Sequence, residues 1–278
     1  MPHAHNGTTE IYYETFGDAS NPALLMVNGL GSQSINYKDA WCSMFAARGF
    51  YAIRFDNRDM GLSTHFTDAP TNETGSAYTL SDMAADAIAV LDAEGIRNAH
   101  IMGLSMGGMI VQTVAIEHPD RVLTMTSVMS TTGEPEYGAP TGRSLELLTA
   151  PPATDKESSV QRWIEGLHAW GSPEFADEAR WRVDAEMAYD RCFDPDGTTR
   201  QFMAVRSSPS RVDTLRSITA PTLVMHGDTD TLIGADGGRR TAELIPGARF
   251  ELIEGMGHDY PPQLWERWVE LVAQHALG

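Results

Sequence analysis

Cysteine is close to absent: Cys42 and Cys192 are the only two in 278 residues. Each stands in an apolar, helix-like stretch without metal-ligand spacing, which argues against a disulfide framework and against a zinc site. Basic charge is scarce as well, with 20 Lys and Arg against 38 Asp and Glu and a formal net charge of −18. A surface of that sign repels phosphate backbones and anionic lipid, so nucleic acid and membrane are disfavoured as partners. No apolar run reaches membrane-spanning length, and Met1 to Gly7 lack the charged and apolar regions of a secretory signal. The expectation is a soluble, cytoplasmic protein. Internal repeats and low-complexity tracts are missing too.

What the chain does have is alternation. At 278 residues it can bury a large core, as one α/β domain with an insertion or as two domains. Ile11 to Phe16 is β-rich and ends at Gly17-Asp18, which predicts an early antiparallel strand. Short buried runs follow at Leu24–Val27, Tyr51–Phe55, His100–Gly103, Val122–Ser127, Thr222–His226 and Arg249–Ile253. Such nearly continuous apolar strands belong to parallel sheets covered on both faces. Helix patterns lie between them, from Tyr37 to Arg48, Leu80 to Glu94, Met106 to His118, Gly237 to Ile245 and Pro262 to His275. The result is a doubly wound, mostly parallel α/β sheet. Alternation stops between about Ser130 and Ile218, where Ser158–Ala169, Pro173–Tyr189 and Thr198–Arg206 read as helices. The expected organisation is a core of residues 1–130 and 219–278, with 131–218 a helical cap over the carboxyl edge of the sheet. His3 and His5, ahead of the first strand, read as disordered.

Gly103-Leu104-Ser105-Met106-Gly107 sits where an apolar strand stops and an apolar helix begins. Glycine two residues either side of a serine permits a very tight strand-to-helix turn, which lifts the Ser105 hydroxyl clear of the main chain. The helix N-terminus beside it favours developing negative charge. A serine hydroxyl is a poor nucleophile at neutral pH and needs a base, usually histidine, oriented by a carboxylate. His258 lies just past the last predicted strand, and both Asp228 and Asp230 lie just past the one before it. All fall at carboxyl ends of parallel strands, where open α/β sheets form their sites. Asp56, Arg58 and Ser63 read instead as a sheet-edge turn held by side-chain hydrogen bonds.

These segments resemble the α/β-hydrolase family, and more narrowly its serine esterase branch that includes the aclacinomycin methylesterases. The resemblance is carried by Asn28-Gly29-Leu30-Gly31, by the run Arg54 to Ser63, by Gly103 to Gly107, by Ala220-Pro221-Thr222 leading to Asp230, and by Gly255-Met256-Gly257-His258. It spans both halves of the sheet, not the cap. It implies Ser105 as nucleophile, His258 as base and Asp230 rather than Asp228 as the orienting acid, since the family sets its acid three residues after the strand-end glycine. It also implies an oxyanion hole made by the backbone N–H groups of Leu30 and Met106, each donor contributing roughly 3–4 kcal/mol to acyl transfer. Asn28 stands where many relatives have histidine.

The reaction so implied is hydrolysis of a carboxylic ester of a small or medium apolar molecule through an acyl-enzyme, without metal or organic cofactor. Serine at 105 argues against haloalkane dehalogenase and epoxide hydrolase chemistry, which need a carboxylate there. Lactonase, thioesterase, C–C hydrolase and cofactor-free perhydrolase use the same triad and stay open, as does a non-hydrolytic lyase or binding protein of this fold. Oligomeric state is not legible.

Overall fold

The computed structural model describes residues 2–71 and 76–278. Its strands are β1 (His3–Asn6), β2 (Thr9–Phe16), β3 (Ala23–Val27), β4 (Tyr51–Phe55), β5 (Ala99–Leu104), β6 (Val122–Val128), β7 (Thr222–Gly227) and β8 (Arg249–Ile253). They form one eight-stranded sheet in the order β1-β2-β4-β3-β5-β6-β7-β8. β1 with β2 and β2 with β4 are antiparallel, and every other pair is parallel. The helices are α1 (Asp39–Ala47), α2 (Leu80–Ala93), α3 (Met106–Glu117), α4 (Arg143–Leu148), α5 (Lys156–Trp170), α6 (Glu178–Arg191), α7 (Pro195–Ser207), α8 (Val212–Leu215), α9 (Ala235–Leu244) and α10 (Pro262–Leu277). None of the described helices is long and apolar enough to cross a membrane.

The buried runs are explained by two cores, one on each face of the sheet. Leu25 and Val27 of β3 join Ile53 and Phe55 of β4 and the inner faces of α2 and α3 in one. Leu24 and Met26 point the other way, into a second core with α1 and α10. There Trp41 stacks on Trp265 at 5.5 Å and meets Trp268 edge-on at 5.4 Å. A strand with apolar partners on both sides has no polar face to show, so its sequence does not alternate.

Two expectations need correction. His3 and His5 are ordered in β1, paired with Tyr12 and Glu10. The strand exists because Gly7, at φ +61°, makes a two-residue turn with Thr8, and Asn6 Nδ2 donates to Asp86 at 2.9 Å. The helix expected over 173–189 is a single 3-10 turn, Pro173–Phe175, followed by α6. Asp177 breaks it by accepting the Arg180 N–H at 3.1 Å, as an N-terminal capping side chain does. The short helices α4 and α8 went unread because neither is long enough to show a period.

The turn after β4 is built as expected and does more besides. Ser63 Oγ donates to Asp56 O at 2.6 Å and accepts the Tyr12 N–H at 2.9 Å, while Arg58 grips Asp86 at 2.6 and 2.7 Å. The same turn also anchors the helices between β6 and β7. Arg191, at the end of α6, reaches Asp56 at 2.7 and 3.1 Å, and Arg200 of α7 grips Asp59 at 2.8 and 2.9 Å. Both members of the second pair are buried, so removing one strands the other's charge in a dry environment. Arg200→Met is therefore expected to cost about 3–5 kcal/mol of stability, read as a lower urea midpoint at unchanged slope.

Candidate active site

Ser105 joins the last residue of β5 to the first of α3 with φ 55° and ψ −118°, left-handed geometry that a serine adopts only under constraint. A side chain at Gly103 would collide with the Gly107 carbonyl, and one at Gly107 with the Val27 carbonyl, so both glycines are dictated by close backbone approach. Strain of this kind costs on the order of 1–3 kcal/mol and persists only where neighbours over-determine it. Here the Ser105 N–H donates to Val128 O at 2.9 Å and its carbonyl accepts from Ser130 Oγ at 2.8 Å. The serine is thus held from β6, the neighbouring strand.

The loop after β3 runs alongside. A Cβ on Gly29 would lie 3.3 Å from Ser105 Cβ, so the residue before Leu30 packs directly against the serine. Asn28 turns inward, its Nδ2 donating to Phe55 O at 3.4 Å while its carbonyl accepts from Asn57 Nδ2 at 3.0 Å. Its side chain has a core-facing task, so asparagine is accommodated there. Gly31 N–H is taken by Gln201 Oε1 of α7 at 3.0 Å. Among the described residues, the N–H groups of Leu30 and Met106 donate to no protein acceptor.

Past β7 and β8 the two loops that carry Asp230 and His258 are laced together. Asp228 N–H donates to Ile253 O at 3.2 Å and Thr229 N–H to Met256 O at 3.0 Å. Asp228 spends its own carboxylate on the Gly255 N–H at 2.8 Å, a loop staple. Asp230 faces inward: Oδ1 accepts the N–H groups of Leu232 and Ile233, both at 2.9 Å, and Oδ2 lies 2.7 Å from His258 Nδ1. A second imidazole, His226 at the end of β7, stands 3.4 Å from the same Oδ2. Burial alone would raise the Asp230 carboxyl, but His258 first and His226 next outweigh it and hold the group down to about 2. The carboxylate is ionised throughout the neutral range.

The helical insert supports the same loops from the other side. Trp170 O accepts the His258 N–H at 2.5 Å, and Ala169 O accepts Thr231 Oγ1 at 2.8 Å. Ser172 donates its N–H and its hydroxyl to Asp259 Oδ1 at 3.0 and 2.5 Å, and accepts the Gly257 N–H at 2.9 Å. None of these contacts is readable in the sequence, because no local pattern says that residues 169–172 meet residues 257–259. The structure thus brings Asp230 and His258 into direct contact; among the described residues it shows no hydrogen bond between His258 and Ser105.

One further group has the make-up of a metal site. Asp59, His65 and Asp194 have ligand atoms within 4.8 Å of one another. Arg200 already lies between the two carboxylates, at 2.8 Å from Asp59 and 3.1 Å from Asp194, so a guanidinium fills the cation's place. The Cys192 sulfur at 3.7 Å, acting against burial, and Asp194 at 2.6 Å raise His65 to about 9. The cluster reads as part of the anchor between insert and sheet.

Comparison with known proteins agrees with this layout. Residues 22–261 match the family model described as alpha/beta hydrolase fold. The rhodomycin D methylesterase DauP of Streptomyces sp. (strain C5) is 31% identical over 95% of this chain and 94% of its own length. Its counterpart DnrP from Streptomyces peucetius is 30% identical over 97% and 96%. Among solved structures, the enol-lactonase from Burkholderia xenovorans LB400 superposes over 100% of both chains with a TM-score of 0.78 at 23% identity, a likeness of fold.

The depressed carboxyl has a measurable consequence. A group whose folded pKa lies below its ordinary value stabilises the fold above that ordinary value and loses the contribution as pH falls through the folded one. The unfolding free energy of the native chain relative to Asp230→Asn is expected to shrink by roughly 2 kcal/mol between about pH 6 and about pH 2, measured by urea titration at each pH.

Proposed function

Because the chain belongs to the α/β-hydrolase family and is a carboxylic ester hydrolase, we propose that Ser105, His258 and Asp230 perform the hydrolysis, with residues 131–218 as the cap above them. The observation that carries this reading is the 2.7 Å contact of His258 Nδ1 with a buried carboxylate, at the sheet edge where Ser105 is held in its strained turn. Catalytic hydrogen bonds in an unliganded site are often long and tighten with substrate, so the Ser105–His258 contact is assigned to the substrate complex.

In the first half-reaction Ser105 Oγ attacks the ester carbonyl carbon while His258 Nε2 takes the hydroxyl proton. Asp230 keeps the Nδ1–H tautomer and compensates the imidazolium charge. The negative charge that gathers on the former carbonyl oxygen is met by the Leu30 and Met106 N–H groups, which have no protein acceptor of their own. When the tetrahedral centre collapses, His258 returns the proton to the alkoxide and the alcohol departs. Water, giving a proton to the same imidazole, then attacks the acyl-enzyme; the acid leaves and Ser105 recovers its hydrogen.

A methyl ester is the substrate class that the two Streptomyces methylesterases suggest. Methanol is a small leaving group, so most of the recognition falls on the acid side and on the cap. Lactones present the same functional group closed into a ring and belong in the same test panel.

Hydrolysis of p-nitrophenyl acetate is expected from the native chain, and Ser105→Ala should lower kcat by several orders of magnitude. A fully active alanine variant, or a phosphonate that labels any residue other than Ser105 by peptide mass, would refute the assignment. Within the acid loop, Asp230→Asn is expected to cripple turnover, since the amide favours the wrong histidine tautomer. Asp228→Asn should leave most of kcat intact, and the reverse ranking would transfer the role.

A further inference from the structure

His226 takes no part in the proposed proton transfers, yet it is wholly buried and stands 3.4 Å from the acid of the triad. Its Nε2 lies 2.8 Å from the Ile233 carbonyl oxygen, which can only accept, so Nε2 carries the hydrogen. The other ring nitrogen, Nδ1, is buried without a partner. It faces Gly238 of α9, where a side chain would collide with the ring, and a hydrogen on Nδ1 would find no acceptor there. Both nitrogens therefore specify one tautomer. Asp230 Oδ2, the oxygen that His258 uses, lies 3.4 Å from the same Nε2, beside the hydrogen bond to Ile233. Ile233 closes the circuit, since its carbonyl is held by His226 while its N–H, at 2.9 Å, holds Asp230 Oδ1.

We propose that His226 is a positioning residue for the acid of the triad: its Nε2–H holds the Ile233 carbonyl and so fixes the 230–233 turn, and the same ring edge stands beside Asp230 Oδ2, so that the carboxylate has one orientation toward His258. This rests on the triad reading given above. A carboxylate free to rotate offers His258 either oxygen at several angles. One whose Oδ1 is pinned by two amides, and whose Oδ2 lies between two imidazoles, offers a single line of approach. Asparagine or serine at 226 would be too short to reach Ile233 O from the strand; glutamine places a donor near the Nε2 position.

Nitrogen-resolved NMR of the intact protein, labelled in its histidines, tests this without any variant. His226 is expected as the Nε2–H tautomer with a bare Nδ1, and an Nδ1–H tautomer would overturn the proposal. In His226→Phe, the His258 Nδ1–H resonance is expected to move or broaden. Its kcat on p-nitrophenyl acetate should fall about ten- to a hundred-fold at unchanged KM, the scale of a small misplacement of a catalytic group. His226→Gln should restore both. A folded phenylalanine variant with the native His258 resonance and native kcat sinks the idea. If phenylalanine prevents folding, the native tautomer still decides. The resonance reports the Asp230–His258 pair whether or not Ser105 is the nucleophile, so failure here is distinguishable from failure of the hydrolytic mechanism.

Discussion

A single methyl group on Gly227 would collide with the carbonyl of Met256, so close do the ends of β7 and β8 run. The Asp230–His258 contact depends on that approach. Parallel strands with adjacent register deliver their carboxyl ends to one rim, and the two loops that follow are then laced by backbone bonds from Asp228 and Thr229. With the loops locked, Asp230 and His258 meet although 28 residues separate them in sequence. The carboxylate loses water there, but four polar partners replace it, which is why burial does not neutralise it. An acid that stays ionised in a dry place can both orient an imidazole and offset its charge during turnover.

The same rim is held from above by the insert, through two independent attachments. On one side Arg191 and Arg200 grip Asp56 and Asp59 in the turn after β4, and Gln201 binds the Gly31 amide beside Leu30. On the other, residues 169–172 bond the backbone around His258 and the Thr231 side chain. One attachment borders Leu30 and the other borders His258, so the insert fixes both loops beside Ser105 that the proposed mechanism uses.

How much of this was written in the sequence follows from how local each feature is. The strands were legible because burial on both faces removes polar residues from Leu24–Val27 and Tyr51–Phe55. The serine is legible because Gly103 and Gly107 bracket it between an apolar strand and an apolar helix, although only Gly103 answers to a contact within the turn and Gly107 answers to the Val27 carbonyl. Choosing between Asp228 and Asp230 needed family resemblance, and the structure gives the physical difference: one carboxylate staples Gly255 and the other faces His258. The β1 hairpin had a signal, Asn6-Gly7-Thr8, that went unread. Arg191 with Asp56, 135 residues apart, and Ser172 with Asp259, 87 apart, had none. A charged side chain in sequence does not name its partner.

These attachments also say where substrate preference can be encoded. A shift of the base by about 1 Å can cost a hundredfold in rate, so the backbone at 169–172 cannot be redrawn without loss of turnover. The anchors at Arg191 and Arg200 carry buried charge and are equally resistant to change. What remains free is the outer face of α4, with Leu145 half-exposed, and the outer face of α6, with Val183 and Met187 open to solvent. Residues there can vary in size and polarity while the Asp230–His258 contact stays where the sheet and the two anchors hold it.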